Sequence, residues 1–433
     1  FVGDLCMRFL ILGINYLPET TSIGPYTADL AGHLAHRGHD VDVITGFPMA
    51  PQWRVWDPYR GKKFMTEIID GVRVTRTYVY VPSNPRRALR RILFDTSFSL
   101  SAIAGAIRLG RPDLVVAVSP PLQLGLTGWL LGLRSPGGYF LHIQDLVPDA
   151  AIATGMLREG RLPARLARAL EQFVYRRAAG IGVICDGFAR NLMSKGVPER
   201  NIFVLPNYVD LKSLTPGERN NDFRRDHGFS ANDFVVMYSG SIAGKQGLDT
   251  LVEAASLVES VKRIKFLIIG DGPHLAELKT KAQESRAGNV RFLPLQPRKG
   301  LGAQLSASDV LVITQRRSIT DVVFPGKLLH YMACGRAIVG AVSPESETGT
   351  FIQRNGVGVV VPPEDPKALA DALMGLSCQE DAVRRFGEVG RGTAEALFDR
   401  EVVLENFARV LESKAGVPRG RVSAAVPHEE ASL

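Results

Sequence analysis

Short, wholly apolar segments alternate with helix-patterned ones along this chain, and they do so in two successive series. The first such segment is Phe9-Leu-Ile-Leu-Gly-Ile14. A run with no polar face must be covered on both sides, as a parallel strand is when helices flank its sheet. A helical pattern from about Thr27 to Arg37 follows and stops at Gly38, a residue suited to ending helices. Val41, Val43 and Ile44 open the next strand. Further strands are predicted at Leu114–Val118, Phe140–Ile143, Ile181–Ile184 and Phe203–Leu205. The polar stretch from Asp210 to Arg225 then interrupts the pattern. A second series has strands at Phe234–Tyr238, Phe266–Ile269, Val290–Leu293, Val310–Thr314, Ile338–Val339 and Val359–Val361. Strand–helix alternation of this kind predicts an α/β chain with two doubly wound parallel sheets.

The length of 433 residues fits two domains of about 200 residues each. The expected organisation is an extension over 1–6, a first domain over 7–207, a linker over 208–225, a second domain over 226–398, a final helix over 399–415, and a tail over 416–433. The tail has no periodicity and is expected to be disordered. Met7 reads as a natural start, and no signal peptide opens the chain. Cys6, Cys185, Cys334 and Cys378 form no C-x-x-C pair, which suits a reduced cytosolic protein. Leu114 to Leu133 is uncharged but split by Pro120-Pro121, so a strand, a loop and a short helix explain it better than a spanning helix. Lys and Arg number 52 against 44 acidic residues, a surplus of +8. That surplus suits an anionic substrate or membrane surface; without finger spacings or long basic tracts it does not call for nucleic acid.

Several segments could carry chemistry. Ser239-Gly-Ser-Ile-Ala-Gly-Lys-Gln-Gly247 lies between a strand and a helix. Its glycines Gly240, Gly244 and Gly247 permit close approach of backbone to ligand. Helix-start N–H groups and Lys245 suit a diphosphate, although a plain strand-to-helix turn has the same outline. Gly270-Asp-Gly-Pro273 closes the next strand and reads as a helix start capped by Asp271. Phe324-Pro-Gly-Lys-Leu-Leu-His-Tyr-Met-Ala-Cys-Gly335 reads as a helix with Pro325 in its first turn. Lys327 there sits at the positive helix end, where an anion would relieve it. His330 could reach a ribose hydroxyl or be a satisfied structural residue.

In the first half, Asn15-Tyr-Leu-Pro-Glu-Thr-Thr-Ser-Ile-Gly24 forms a polar loop after the first strand, and Gly24 permits close approach at a helix start. His142, Gln144 and Asp145 end a buried strand, where a carboxylate is costly without a purpose, so Asp145 is a candidate site residue. Asp40-Val-Asp42 resembles a metal–diphosphate signature, but alternation puts both carboxylates on one face, expected to be the wet one, and no third ligand is in view. Arg86, Arg87, Arg90 and Arg91 interleave with Leu89, Ile92, Leu93 and Phe94, and an apolar helix continues to Ile107. The cluster fits a helix at an anionic membrane surface and equally a solvated face on a core helix.

In sequence order, Asn15-Tyr-Leu-Pro-Glu, Ser22-Ile-Gly24, Arg37-Gly-His-Asp-Val-Asp-Val-Ile44, Gln144-Asp-Leu-Val-Pro-Asp149, Leu205-Pro-Asn-Tyr-Val-Asp210, Gly244-Lys-Gln-Gly247, Ile269-Gly-Asp-Gly-Pro273 and Gly326-Lys-Leu form a specific set. Together they resemble the retaining nucleotide-sugar glycosyltransferases of family 4, within the branch that builds bacterial exopolysaccharide and O-antigen units. The resemblance runs from about Met7 to Ala415. It implies the GT-B architecture, two Rossmann-like domains facing across a cleft. It implies a donor, UDP- or GDP-linked, held by the second domain, with Gly240, Ser241, Gly244 and Lys245 near the diphosphate, backbone around Leu295 at the base, and Lys327 and His330 along the phosphate–ribose region. The first domain would take a polyprenyl-diphosphate-linked saccharide. Its Gly24 loop would close over the donor, with Gln144 and Asp145 near the reacting sugar. The last helix would cross back onto the first domain. No metal or other cofactor is expected, and the protein would sit peripherally on the inner face of the cytoplasmic membrane.

The chain departs from the family pattern in three places. The second-domain pair of glutamates falls here on Val322 and His330, with Asp321 adjacent; the arginine common after the glycine is Ser241; the strand-end histidine of relatives corresponds to Gln144. Two other readings therefore stand beside the transferase, a nucleotide-sugar 2-epimerase and a nucleotide-binding scaffold subunit without turnover. A dehydrogenase is disfavoured, because Gly13-Ile-Asn-Tyr replaces G-x-G-x-x-G after the first strand.

Overall fold

The structure is a computed structural model that describes residues 6–20, 23–83, 88–153, 155–318 and 326–416. Ser22, Arg86, Arg87, Asp321, Val322, Phe324, Pro325 and the tail from 417 lie outside the described residues, as do the first five residues of the extension. The chain divides into two compact units. The first comprises 1–183, 192–203 and 404–433, the second 184–191 and 204–403.

The first unit is built on β1 (Arg8–Leu12), α1 (Gly24–His36), β2 (Asp40–Gly46), β3 (Phe64–Ile69), β4 (Val72–Thr77), α2 (Ala88–Ala106), β5 (Leu114–Ser119), α3 (Gln123–Gly132), β6 (Tyr139–Ile143), α4 (Val147–Ala153), α5 (Leu162–Arg177) and β7 (Gly180–Val183). The helix α6 (Asp186–Ser194) and β8 (Ile202–Val204) follow, giving an eight-stranded sheet in the order β3-β4-β2-β1-β5-β6-β7-β8. The strand pairs from β4 through β7 are parallel. Every residue of β5 and β6 is buried, as their largely apolar sequence requires.

The hairpin β3–β4 was not anticipated from the sequence. It is antiparallel and turns at Asp70-Gly71, both with positive φ. An Asp-Gly pair between alternating segments is the signal that marks it. The hairpin also changes the fate of Asp42. Register sets Asp42 beside Arg73 of β4, and Arg8 of β1 lies 3.3 Å away, so this carboxylate is buried between two guanidiniums instead of facing water. Asp40 is exposed and pairs with Arg8 at 3.2 Å. The D-x-D segment is therefore part of the sheet's ion-pair lacing.

The second unit has α7 (Asp222–Asp226), β9 (Phe234–Ser239), α8 (Asp249–Leu257), β10 (Ile264–Ile269), α9 (Leu275–Glu284), β11 (Val290–Leu293), α10 (Leu301–Ser306), β12 (Val310–Thr314), α11 (Gly326–Ala333), β13 (Ala337–Ala341), α12 (Glu347–Arg354), β14 (Gly358–Val361), α13 (Pro366–Ser377) and α14 (Glu380–Leu397). Its six strands, in the order β11-β10-β9-β12-β13-β14, pair in parallel throughout. Val236, Phe266, Val312 and Val339 fill one side of the sheet, Val235, Leu267, Leu311 and Ile338 the other. Caps finish the helices locally; Ser346 accepts from the Gly349 N–H and Asp365 from the Ala368 N–H.

The final helix, α15 (Arg400–Ala415), belongs to the first unit from Leu404 onward. Phe407 packs against Phe140 and His142, with ring centroids 6.1 and 4.8 Å apart. Arg37 meets Glu405 and Glu412 at 2.7 Å each, and His39 meets Glu412 at 2.8 Å.

Candidate functional site

In the second unit, β9 and β10 end side by side and their following loops interlock. The Gly240 N–H donates to the Ile269 carbonyl and the Ile242 N–H to Asp271, while the His274 N–H returns to Ile242. Gly270 and Gly272 have φ of 156 and 157°, and a Cβ on either would lie 1.9 Å from the Gly240 oxygen or 2.1 Å from the Ile242 oxygen. Only glycine fits at these two crossings. The segment read from sequence as a helix start is thus first a brace for the loop beside it.

That loop carries Gly240, Ser241, Gly244 and Lys245. Ser241, Gly244 and Lys245 are exposed. Gly244 opens a single 3-10 turn and Gly247 closes it in the left-handed region at φ 61°. Arg316 holds the turn from the far side. Its Nε donates to the Gly244 carbonyl at 2.8 Å, its backbone N–H donates to the Lys245 carbonyl at 3.1 Å, and its guanidinium pairs with Asp249 and Glu364.

Lys327, from α11, comes to the same place. Its ammonium donates to the Tyr238 hydroxyl at 2.7 Å and stands 3.9 Å above the centre of that ring. Tyr238 in turn donates to the Ser241 carbonyl at 2.6 Å. A methyl on Gly240 would lie 3.4 Å from the ammonium nitrogen, so the missing side chain leaves Lys327 open on the Gly240 side. Burial, and then the charge of Lys245, lower the Lys327 pKa to about 7. Among the described residues neither lysine makes an ion pair with a carboxylate. Tyr331 braces the strand end, accepting from the Ser239 N–H at 3.1 Å, and Gln304 donates to the Ser239 hydroxyl at 2.8 Å. His330 is half-buried on α11, and Leu295 is 66% exposed after β11.

The structure thus gathers Gly240, Ser241, Gly244, Lys245 and Lys327 around one loop. Sequence reading missed Tyr238 and Arg316, because a tyrosine in a core strand and an arginine past another strand have no local signature. Of the remaining candidates, Gly24, Gln144 and Asp145 belong to the first unit. Gly24 is buried where α1 meets the preceding loop; a Cβ there would be 3.3 Å from the Tyr16 nitrogen. Gln144 is buried with its amide nitrogen 2.7 Å from His142 Nε2. Burial pushes His142 down to about 4, so the ring is neutral. Asp145 is exposed, not buried, because the chain leaves the sheet at Ile143; the desolvation argument for its role does not apply. In the same unit, Glu19 is buried and accepts from the Met49 and Ala50 N–H groups at 2.7 and 2.6 Å and from the Asn15 amide at 2.9 Å.

Two parallel-sheet units, the second with lysines that meet no carboxylate among the described residues at the ends of its strands, have the design of enzymes that handle phosphorylated donors. Residues 21–208 match the glycosyl transferase 4-like domain and residues 233–379 the glycosyl transferases group 1. The chain belongs to the glycosyltransferases of this two-domain, GT-B class. It is 32% identical over 408 residues to WcaI of Escherichia coli K12, provisionally named a colanic acid biosynthesis glycosyl transferase, across 93% of this chain and 98% of that one. Among solved structures, sucrose-phosphate synthase of Thermosynechococcus elongatus superposes with a TM-score of 0.71 at 19% identity, covering 94% of this chain and 98% of that one. HepE of Anabaena, in complex with UDP, superposes with a TM-score of 0.70 at 15% identity, covering 94% and 100%.

Proposed function

We propose that the protein is a retaining hexosyltransferase that moves a sugar from a UDP- or GDP-linked donor to a polyprenyl-diphosphate-linked saccharide in exopolysaccharide or O-antigen synthesis. The observation that carries this reading is the pair Lys245, on a loop whose glycines admit a ligand, and Lys327, which reaches that loop from α11, two lysines without carboxylate partners among the described residues. The similarity to WcaI supports the polysaccharide context, and UDP in HepE supports a nucleoside-diphosphate donor.

The chemistry asks for little acid or base. As the bond from the anomeric carbon to the diphosphate breaks, charge grows on the leaving oxygens. Lys245, Lys327 and the backbone of the turn that opens at Gly244 stabilise it. The acceptor hydroxyl attacks from the leaving-group face, which retains configuration, and its proton passes to a diphosphate oxygen. With two ammonium groups supplying the positive charge, the reaction needs no metal. Backbone near Leu295 takes the base and His330 the ribose side. Gln144 and Asp145 serve the acceptor side, on the first unit. The arginines at the start of α2 bring the protein to the anionic inner face of the cytoplasmic membrane, where a lipid-linked acceptor resides.

Thermal unfolding with UDP, GDP and CDP, without added metal, tests the donor assignment. A nucleotide at about 100 times its dissociation constant adds roughly 2.7 kcal/mol. One nucleotide is expected to raise Tm clearly. No shift with any of them at millimolar concentration would remove the lysines from the reading and favour a scaffold; sugar turnover without an acceptor would favour the epimerase.

A further inference from the structure

Helix α2 is apolar on two opposite sides. Phe94, Phe98 and Ala102 are buried toward the sheet. Leu89, Ile92, Leu93, Leu100 and Ile107 recur at helical spacing on the opposite side, and their exposures run from 47 to 78%. A surface helix of a globular protein ordinarily shows one apolar stripe, and contiguous exposed apolar surface marks a partner. The exposed stripe continues sideways. Helix α3 packs against α2 and exposes Leu126, Leu130 and Leu133, spaced four and three residues apart. A groove of about 690 Å³ between the C-terminal ends of the two helices is walled by Ile103, Ile107 and Leu131, with Arg111 and Arg134 at its rim.

Charge identifies the occupant. Residues 86–177 hold 13 arginines, no lysine and six acidic residues, a surplus of +7, and five of those arginines, Arg90, Arg91, Arg108, Arg111 and Arg134, lie on or just beyond α2 and α3. The acidic residues there are largely consumed internally. Asp95 is buried, Asp113 accepts from the Arg8 N–H, and Asp149 and Glu171 pair with Lys195. Arg108 and Arg134, at the far end of the face, are exposed and have no ion-pair partner among the described residues. Apolar side chains fringed by guanidiniums match an acyl boundary below anionic head groups. No helix among the described residues is long and apolar enough to cross a membrane.

We propose that the outer face of α2 and α3 lies flat on an anionic bilayer along its whole length, with both ends of α2 engaged. This extends the membrane reading above from the start of α2 to a two-helix face, and rests on that reading for the presence of a membrane. A helix of this length spans about 28 Å, so the far arginines contact head groups well away from Arg90 and Arg91.

The test is flotation of the full chain with phosphatidylcholine vesicles, with and without 30 mol% phosphatidylglycerol. One variant carries Arg108→Gln, Arg111→Gln and Arg134→Gln; another carries Leu93→Ser and Leu100→Ser. All five positions are exposed, and circular dichroism verifies folding. The arginine variant is expected to lose about fivefold in partitioning to anionic vesicles per charge removed, about 1 kcal/mol each. The leucine variant is expected to lose binding that added salt does not abolish. Full binding by both variants, with loss only when Arg90 and Arg91 are changed, would overturn the two-helix face. So would a leucine-dependent dimer seen without vesicles, which would make a second copy the occupant. A nucleotide-induced Tm shift measured alongside tells failure of the membrane face apart from failure of the glycosyl-transfer reading.

Discussion

After β1 and after β9 the chain follows the same course: it leaves an apolar strand, crosses a loop and enters a helix that begins at or just after a glycine. The two loops are held in opposite ways. Behind β1, the Glu19 carboxylate is almost fully buried and accepts from Asn15 of its own loop and from Met49 and Ala50 after β2, so its charge is consumed by neighbouring backbone. Behind β9, glycine contacts and the Arg316 clamp hold the backbone, and among the described residues neither Lys245 nor Lys327 meets a carboxylate. Shared architecture therefore does not fix what a strand end attracts. The sign of the charge left over after the loop has satisfied itself does.

The sharpest way to break this contrast is Lys245→Ala. The side chain is exposed, so Tm should hold, while turnover should fall by about 10²–10³, the usual cost of one transition-state charge donor. Unchanged turnover, or an unfolded variant, removes Lys245 from the chemistry. Next comes Glu19→Ala, which orphans the buried Met49 N–H and the half-buried Ala50 N–H and should cost about 2–4 kcal/mol in denaturant unfolding. The nucleotide-induced shift should survive it; a lost shift would mean that the two loops are not chemically separate. The smallest effect concerns protons. Lys327, with its pKa lowered to about 7, is mostly neutral at pH 8 in the free protein. A bound diphosphate favours the charged form, so binding at pH 8 should take up close to one proton. Calorimetry in buffers of different ionisation enthalpy reads this, and Lys327→Met should abolish it. The linked stability has a definite sign. The unfolded chain holds the extra proton between about pH 7 and 10, so this group makes the free protein more stable as pH rises through that window.

The two sheets were legible because their strands are continuous apolar runs bounded by glycine and proline, a pattern that survives without tertiary knowledge. Phe64–Ile69 and Val72–Thr77 were not recognised, since an edge hairpin alternates charged with apolar residues and its Asp-Gly turn is the sole strong mark. The lysines of the donor loop could be singled out because glycine spacing and helix starts are local features. Tyr238 could not, because its partner is 89 residues away in sequence and the contact exists only once β9 and α11 pack. Asp42 and Asp145 exchanged expectations for the same reason. Burial at a strand end depends on which neighbour the sheet supplies, and Arg73 reaches Asp42 only through the hairpin.

The placement of α15 bears on how the protein is made. Residues 404–415 complete the first unit, yet a ribosome releases them after every residue of the second. Until they emerge, Phe140 and His142 lack the ring of Phe407, and Arg37 lacks both of its glutamates. Translation therefore finishes the front of the protein last. A stop codon or protease cut just after residue 403 would injure not the neighbouring unit but the one encoded at the opposite end of the message.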